Sequence, residues 1–419
     1  MNRQDIPAVT EDTQMKKHLA MGLNEALALT IDRLSPLEGE IVPLFESVDR
    51  VVARSMPALV DSPSVDASLK DGYAVISLEV AGATTEKPVR LELLGSVAAG
   101  ETAEVAVTAG AAVRVLTGAR IPRGADAVVS GEFAIAGDGD VRIMTFAEPG
   151  RNILPRGCDV TAGAIIAQSG AVLTPGLVGL LAAAGHSRIP VVRHPRVAII
   201  ATGDEIIAPG QPLPDGKLYA SNLTTLGAWC RRYRIDTETA VVPDEPEDMK
   251  KAFSDALTRV DAIITSGGAW TGDRDMVARI MAELGWEQVF HRIRIGPGKA
   301  VGFGMLAGKP VFILPGGPPS NLMGFLQIAL PGLLRLAGHQ RPGLPLVTVR
   351  LSAELAATHR DWTQFIFGRL EQHEQLPLFV PLQGNSRLGS MAEAEAVVTI
   401  PEGRMYWPAG STVPAQLLR

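Results

Sequence analysis

Residues 197–205 read VAIIATGDE, and this stretch decides the fold. Its first five residues form a continuous apolar run, which is typical of a parallel β-strand covered on both faces. Thr202, Gly203, Asp204 and Glu205 follow directly. Ligands bind outside the carboxyl ends of the strands in an open α/β sheet, so these four residues are predicted to lie at a binding site.

Helices and further apolar runs alternate after this stretch. Apolar residues at helical spacing predict helices near residues 223–233 and 249–257, and strands are predicted over 239–242 and 262–265. This alternation predicts a doubly wound α/β domain at residues 196–338.

The chain on either side of this domain has a different pattern. Residues 23–34 carry a helical apolar stripe, and residues 57–146 contain short strands separated by glycine-rich turns. A turn-rich segment at 340–345 precedes alternating strands that begin at 347–351. The predicted fold class is therefore α/β multidomain, with β-rich segments before and after the α/β domain.

Composition argues against several classes of protein. The formal net charge of −6 provides no basic field for nucleic acid or an anionic membrane. Cys158 and Cys230 lie far apart, so no disulfide framework, zinc finger or iron–sulfur site is predicted. No stretch of about 18 uncharged apolar residues is found that would indicate a membrane span. We therefore expect a cytoplasmic protein without a nucleic-acid or membrane partner.

Four further loops carry residues suited to an anion or a metal. Asp244 follows one predicted strand, and Ser266, Gly267 and Gly268 follow the next. Paired glycines let successive N–H groups face a phosphate, and carboxylate and phosphate oxygens are the usual ligands of Mg²⁺. The remaining candidates lie in the loops at 296–300 and 314–321 and comprise Lys299, Pro315, Gly316 and Ser320.

Each loop also has a plain structural explanation. Asp244 could cap the following helix, Gly267 and Gly268 could form an ordinary turn, and Lys299 could be a solvated surface charge. The functional interpretation is favoured because carboxylates, hydroxyls and glycines recur after successive strands, which places them on one rim of the sheet.

These loops, in this order, resemble the molybdopterin molybdenumtransferases, the family of MoeA and the gephyrin E domain. The ordered set covers residues from about 20 to 415 and is far more specific than any single triplet. The matching segments are SLKDGYAV at 68–75 (SAMDGYAV in the family), RVLTGA at 114–119, GRNILPRGCD at 150–159, TGDE at 202–205, SGG at 266–268 and PGK at 297–299.

The resemblance implies four domains and an elongated homodimer. Domain I is discontinuous (18–56 and 147–195), the β-rich domain II (57–146) is inserted into it, domain III (196–338) is the α/β molybdopterin-binding domain, and domain IV (339–419) is a β-barrel. In this family the active cleft lies between domain III of one subunit and the N-terminal domains of the other.

The resemblance also implies the reaction: adenylylated molybdopterin and molybdate yield molybdenum cofactor and AMP with Mg²⁺, and tungstate could replace molybdate. Transient contact with a molybdopterin adenylyltransferase or a molybdoenzyme chaperone is expected. By matching position, the predicted catalytic residues are Asp71, Thr117, Glu205, Asp244 and Asp275, with Asp244 and Asp275 assigned to the metal. The predicted cofactor-binding residues are Thr202, Gly203, Asp204, Ser266, Gly267, Gly268, Lys299, Pro315, Gly316 and Ser320.

The chain departs from the family's pattern around the presumed oxyanion site. Gly296 and Ala300 replace a lysine and a proline of the family's KPGKP, and Gly317 replaces the asparagine of LPGNPVS. Our hypothesis from the sequence is that Lys70, or else Arg274, supplies the positive charge that is absent at Gly296.

Two other functions stay open at this stage. The first is adenylylation of molybdopterin, because a related α/β domain performs it and residues 271–275 faintly resemble its signature. The second is a non-catalytic carrier of finished molybdenum or tungsten cofactor, because the oxyanion residues are altered. The flanking domains argue against the first, and retention of Asp71, Glu205, Asp244 and Asp275 argues against the second.

Overall fold

The computed structural model describes residues 21–102, 104–268, 276–382 and 387–419. The chain forms two compact units, one comprising Glu40–Val191 and the other comprising the chain up to Gly39 together with Val192–Arg419. Within the described residues, no helix is long and apolar enough to cross a membrane.

The α-helices are α1 (Leu23–Asp32), α2 (Pro175–Ala183), α3 (Ser221–Arg232), α4 (Pro246–Leu257), α5 (Met276–Glu283), α6 (Pro318–Gly324), α7 (Leu330–Leu336) and α8 (Arg387–Glu393), and a π-helical segment, Phe325–Ala329, joins α6 to α7. The strands of the first unit are β1 (Gly39–Pro43), β2 (Met56–Pro57), β3 (Ala67–Ser68), β4 (Gly72–Val75), β5 (Val89–Val97), β6 (Ala111–Val115), β7 (Ala127–Ser130), β8 (Ala134–Ala136), β9 (Asp140–Ile143), β10 (Ile153–Leu154), β11 (Ile165–Ala167) and β12 (Arg188–Val192). Those of the second unit are β13 (Arg196–Thr202), β14 (Ile206–Ile207), β15 (Leu218–Tyr219), β16 (Asp236–Val242), β17 (Ala262–Ser266), β18 (Glu287–His291), β19 (Ile295–Gly296), β20 (Gly302–Leu306), β21 (Lys309–Leu314), β22 (Leu346–Leu351), β23 (Leu355–Ala356), β24 (Thr363–Glu371), β25 (Leu378–Pro381), β26 (Ala396–Ile400), β27 (Tyr406–Trp407) and β28 (Thr412–Leu417).

A mixed six-stranded sheet dominates the first unit, in the order β7-β4-β6-β5-β9-β8. Successive side chains of a strand point to opposite faces, so Tyr73 and Val75 join one buried cluster and Ala74 joins another. Away from the sheet, α2 begins after Thr174, whose hydroxyl oxygen accepts from the Leu177 N–H at 3.2 Å.

A doubly wound sheet forms the centre of the second unit, as the sequence predicts. Its order is β16-β13-β17-β21-β20-β18; the first four strands are parallel and the last two pair antiparallel. Helices cover both faces, because Ile199 packs in the cluster of α1, α3 and α7, whereas Ile200 packs with α4 and α5.

The strand predicted at 239–242 is shorter than the strand in the structure. The apolar pattern predicts 239–242, but β16 begins at Asp236 and pairs in register with β13 over seven residues. Asp236 and Thr237 are exposed because β16 is the edge strand, and an edge strand with a solvated face lacks the continuous apolar run of a central one.

The first helix belongs to the core of the second unit. Ala26 and Leu34 are buried in the same cluster as Phe312 and Leu333, and the Leu37 N–H donates to the Leu336 carbonyl at 2.9 Å. The predicted four-domain division, which places this helix in domain I, stays a prediction.

A closed barrel occupies the C-terminal part, which confirms the predicted β-barrel. Five strands pair in the order β24-β25-β22-β28-β26, and β24 pairs again with β26 to close the ring. Val349, Phe379, Val398 and Val413 fill its interior. A further strand, β19, comes from the segment before the barrel and pairs parallel to β24 at Thr363 and Gln364.

Gly72→Ala should destabilise the first unit by about 1–3 kcal/mol, because a methyl group cannot fit without backbone movement. A Cβ at Gly72 would lie 2.0 Å from the Val129 carbonyl oxygen. Urea denaturation and hydrogen exchange of β4 and β7 amides measure the loss. Gly82→Ala is the control, since a Cβ there meets nothing within 4 Å. Equal stability of the two variants would contradict the close contact.

Candidate functional site

A cavity of about 700 Å³ lies at the carboxyl ends of β13, β17 and β21. The chain passes from β13 to β16 on one side and then to β17 on the other, so the boundary between β13 and β17 is the switch point of the sheet. Ligands bind at this point in open α/β sheets. The predicted residues that line the cavity are Thr202, Glu205, Ser266, Gly267, Pro315 and Gly316.

Two asparagines fix the Ser266 hydroxyl in this cavity. Asn222 Nδ2 and Asn321 Nδ2 approach Ser266 Oγ at 3.3 and 3.0 Å, and they also donate to the carbonyl oxygens of Gly316 and Pro315. Since a carbonyl can only accept, both amides must present their N–H groups here. Ser266 Oγ therefore accepts twice, and its own hydrogen is left to donate.

The glycines after β17 permit a close approach of backbones. Gly267 and Gly268 have φ of 103° and 68°. A Cβ at Gly267 would lie 2.5 Å from the Thr202 carbonyl oxygen, and one at Gly268 would lie 2.3 Å from Val277 Cγ2. Only glycine fits both the backbone conformation and the space. The loop is therefore pressed against the end of β13.

Thr202, which also lines the cavity, carries a second hydroxyl group. Thr202 is 2% exposed, and its Oγ1 has no hydrogen-bond partner within the described part of the chain. A buried hydroxyl without a partner costs about 1–3 kcal/mol.

Carboxylates gather beside the cavity at Asp204, Glu205 and Asp244. The Asp244 N–H donates to Asp204 Oδ1 at 3.2 Å. Burial raises the pKa of Asp244, and the negative charges of Asp204 and Glu205 raise it further. In the described ranges no three acidic, histidine or cysteine side chains are close enough to hold a metal by themselves.

The loops that carry Lys299 and Ser320 approach each other at Gly298. The Ser320 carbonyl oxygen lies 3.4 Å from the position of a Cβ at Gly298, directly before Lys299. The Lys299 ammonium lies 5.5 Å from the centroid of the Trp362 ring. Neither Lys299 nor Ser320 lines the cavity.

Asp71 and Thr117 contact each other in the first unit. The Thr117 N–H and hydroxyl donate to Asp71 Oδ1 at 2.7 and 2.8 Å, and these bonds lower the pKa of Asp71. Lys70 is exposed, so its predicted compensating charge stays a prediction. Asp275 and Arg274 lie outside the described residues.

Sequence reasoning did not assign several residues of the site. Asn321 belongs to the loop at 314–321, but no role was predicted for it. Asn222 lies in α3, where a single asparagine gives no signal. Leu388 of α8 also lines the cavity. It lies 183 residues beyond Glu205 along the chain, and periodicity cannot reveal such a contact.

Known protein families match the chain along its length. A model of the MoeA N-terminal region (domains I and II) matches residues 21–185, and one of a probable molybdopterin-binding domain matches residues 198–335. A model of the MoeA C-terminal region (domain IV) matches residues 348–418.

Similar proteins agree with these matches. The molybdopterin molybdenumtransferase of Bacillus subtilis (strain 168) is 30% identical, covering 97% of this chain and 96% of the relative. Molybdopterin molybdenumtransferase 2 of Mycobacterium tuberculosis (strain H37Rv) is 32% identical, covering 88% and 93%. The crystal structure of the MoeA protein from Pyrococcus horikoshii OT3 superposes with a TM-score of 0.83 at 28% identity, covering 95% of this chain and 99% of that one. The chain therefore belongs to the molybdopterin molybdenumtransferase (MoeA) family.

Asp244→Asn should be more stable than the unsubstituted protein at neutral pH. The pKa of Asp244 is higher in the folded state than in the unfolded state. Its contribution to the free energy of unfolding is therefore fully present at low pH and is lost as the pH rises through the folded-state pKa. The advantage of the variant should therefore vanish as pH falls below the ordinary aspartate pKa of about 3.9. Thermal unfolding across this range measures it, with the exposed Asp215→Asn as control. A variant less stable at neutral pH would show that Asp244 has a stabilising partner.

Proposed function

We propose that this chain is a molybdopterin molybdenumtransferase, which inserts molybdenum from molybdate into adenylylated molybdopterin and releases AMP. The observation that carries the proposal is the cavity at the switch point, because the oriented Ser266 hydroxyl and Glu205 line it and the carboxylates of Asp204 and Asp244 lie beside Glu205. The names of the full-length relatives support the same reaction.

The cavity suits a substrate that is part apolar and part anionic. Leu213, Leu218 and Leu388 supply apolar lining. The Ser266 hydroxyl is positioned to donate to a substrate oxygen, and it needs no reorientation to do so. Preorganised donors of this kind stabilise charge that develops on a departing phosphate.

The acidic residues suit Mg²⁺ shared with the substrate. Mg²⁺ is usually held by one or two carboxylates together with phosphate oxygens and water, so a complete protein cage is not required. Burial raises the pKa of Asp244, and repulsion from the Asp204 and Glu205 carboxylates raises it further. A bound cation would relieve this repulsion. Asp244 is our first candidate ligand, with Asp275 as the second. When bound, the metal would neutralise charge on the leaving phosphate.

The two alternatives have less support. A molybdopterin adenylyltransferase restricted to the α/β domain does not account for the matches at 21–185 and 348–418. A non-catalytic carrier needs affinity for cofactor but has no need of the acidic group around Asp244.

The cellular setting is also part of the proposal. We infer a cytoplasmic homodimer that has a small-molecule substrate and makes transient contact with an adenylyltransferase or a molybdoenzyme chaperone. Asp71 and Thr117 form a polar pair with an ionised carboxylate, which suits them to complete the cleft of a second subunit.

Purified protein with adenylylated molybdopterin, Mg²⁺ and molybdate should release AMP, and omission of either Mg²⁺ or the oxyanion should abolish this. Asp244→Asn should lower the rate about 100-fold, because metal-assisted charge neutralisation contributes several kcal/mol. AMP release is measured by chromatography, with Asp215→Asn as control.

A second measurement separates metal binding from turnover. Mg²⁺ should raise the melting temperature of the unsubstituted protein more than that of Asp244→Asn. Tight substrate binding without AMP release under any oxyanion would support the carrier function instead. If Mg²⁺ raises the melting temperature of both proteins equally, Asp244 is not a ligand of the metal.

Mixing two inactive variants tests the shared site. If Asp71 and Asp244 meet across a homodimer, Asp71→Asn and Asp244→Asn subunits should regain activity when dissociated and reassembled together. One of the two sites in a mixed dimer is then intact, so about a quarter of normal activity is expected from random pairing. Sedimentation of an active monomer, or no recovery in proven mixed dimers, would contradict the model.

A further inference from the structure

The barrel presents a tryptophan to the loop that carries Lys299. β19 pairs with β24 so that Gly296 lies opposite Gln364. A Cβ at Gly296 would lie 3.7 Å from Trp362 Cε3 and 3.7 Å from Gln364 Cγ. The indole therefore packs beside Gly296, where the family pattern KPGKP has its first lysine.

The Lys299 side chain reaches the same indole. Its ammonium is 5.5 Å from the ring centroid, within the range of a cation–π interaction. The backbone is held as well, because the Ile293 N–H donates to the Lys299 carbonyl at 3.0 Å. Gly298, at φ 118°, leaves no room for a side chain between Ile295 and Ser320.

Trp362 is itself held by its neighbours. The His359 ring packs against it with centroids 5.3 Å apart. Gln364 is 8% exposed; its Oε1 accepts from the Thr358 N–H and hydroxyl at 2.8 and 2.9 Å, and its Nε2 donates to the His359 carbonyl at 2.8 Å. These bonds tie Thr358 and His359 to Gln364 and so restrain the segment that carries the indole.

We propose that Trp362 is a positioning residue for the oxyanion substrate, because its indole holds the Lys299 ammonium in one orientation toward the anion. This rests on the proposed function. A free lysine side chain loses considerable rotamer entropy when it binds an anion, and an ammonium already restrained on an aromatic face loses less. The restrained ammonium of Lys299 would thus bind the oxyanion alone, whereas the family pattern KPGKP provides two lysines in this loop.

The test compares Trp362→Leu, Trp362→Phe, Lys299→Met and the double variant Trp362→Leu with Lys299→Met. Tungstate binding is measured by calorimetry, and the molybdate dependence of AMP release is measured separately. Trp362→Leu should raise the tungstate Kd and the half-saturating molybdate concentration about five- to tenfold, with the maximal rate nearly unchanged. Trp362→Phe, which keeps an aromatic face, should restore most of the affinity.

The double variant tests whether Trp362 acts through Lys299. Lys299→Met alone should weaken tungstate binding at least as much as Trp362→Leu, and adding Trp362→Leu should then change nothing further. Trp407→Leu is the matched control, because Arg404 Cζ lies 3.7 Å from the centroid of the Trp407 ring, so this indole also contacts a cation but lies away from Lys299 in sequence. This control should bind tungstate normally.

Several outcomes would overturn the proposal: independent effects of the two substitutions, an unchanged Kd in Trp362→Leu, equal losses in Trp362→Leu and Trp362→Phe, or no tungstate binding by the unsubstituted protein. Failure of the proposed function is a separate result. It appears as no AMP release from the unsubstituted protein with any oxyanion, whereas the calorimetric comparison still decides the role of Trp362.

Discussion

The parallel pairing of β13 with both its neighbours is the constraint on which the site depends. β13 pairs with β16 over seven residues and with β17 over five, and its apolar residues are buried on both faces. A shift by one residue would turn every side chain to the opposite face, so the packing of Ile199 in one cluster and of Ile200 in the other fixes the register. That register brings the end of β13 beside Asp244 and Ser266.

The sequence was sufficient to predict this sheet and the loops at its rim, because a buried parallel strand leaves a continuous apolar run and the polar residues follow it directly. It could not predict the amides that orient Ser266, since Asn222 and Asn321 come from different helices and meet only after the helices have packed. Trp362 was missed for the same reason. Only the pairing of β19 with β24 brings it to Gly296.

Two aspartates of the predicted site show how environment decides their chemistry. Asp71 accepts two hydrogen bonds from Thr117, and its pKa is lowered, so it is a stable anion without a metal. Asp244 is partly desolvated beside two other carboxylates, and its pKa is raised. A nearby cation should therefore stabilise the Asp244 carboxylate more than the Asp71 carboxylate, because it removes the repulsion between Asp244 and its neighbours. The same residue type can therefore serve hydrogen bonding at one place and metal binding at the other.

The barrel contributes to the site as well as to the architecture. Phe365 and Val397 of the barrel are buried in the same cluster as Ile295 and Val301, which flank the loop of Lys299. That loop is therefore supported by the α/β sheet on one side and by barrel strands on the other. An isolated α/β domain would lose Leu388 from the lining of the cavity, and it would also lose β24 and the indole that Lys299 contacts. A protein that handles both an anhydride and an oxyanion thus has a physical reason to keep the C-terminal barrel attached.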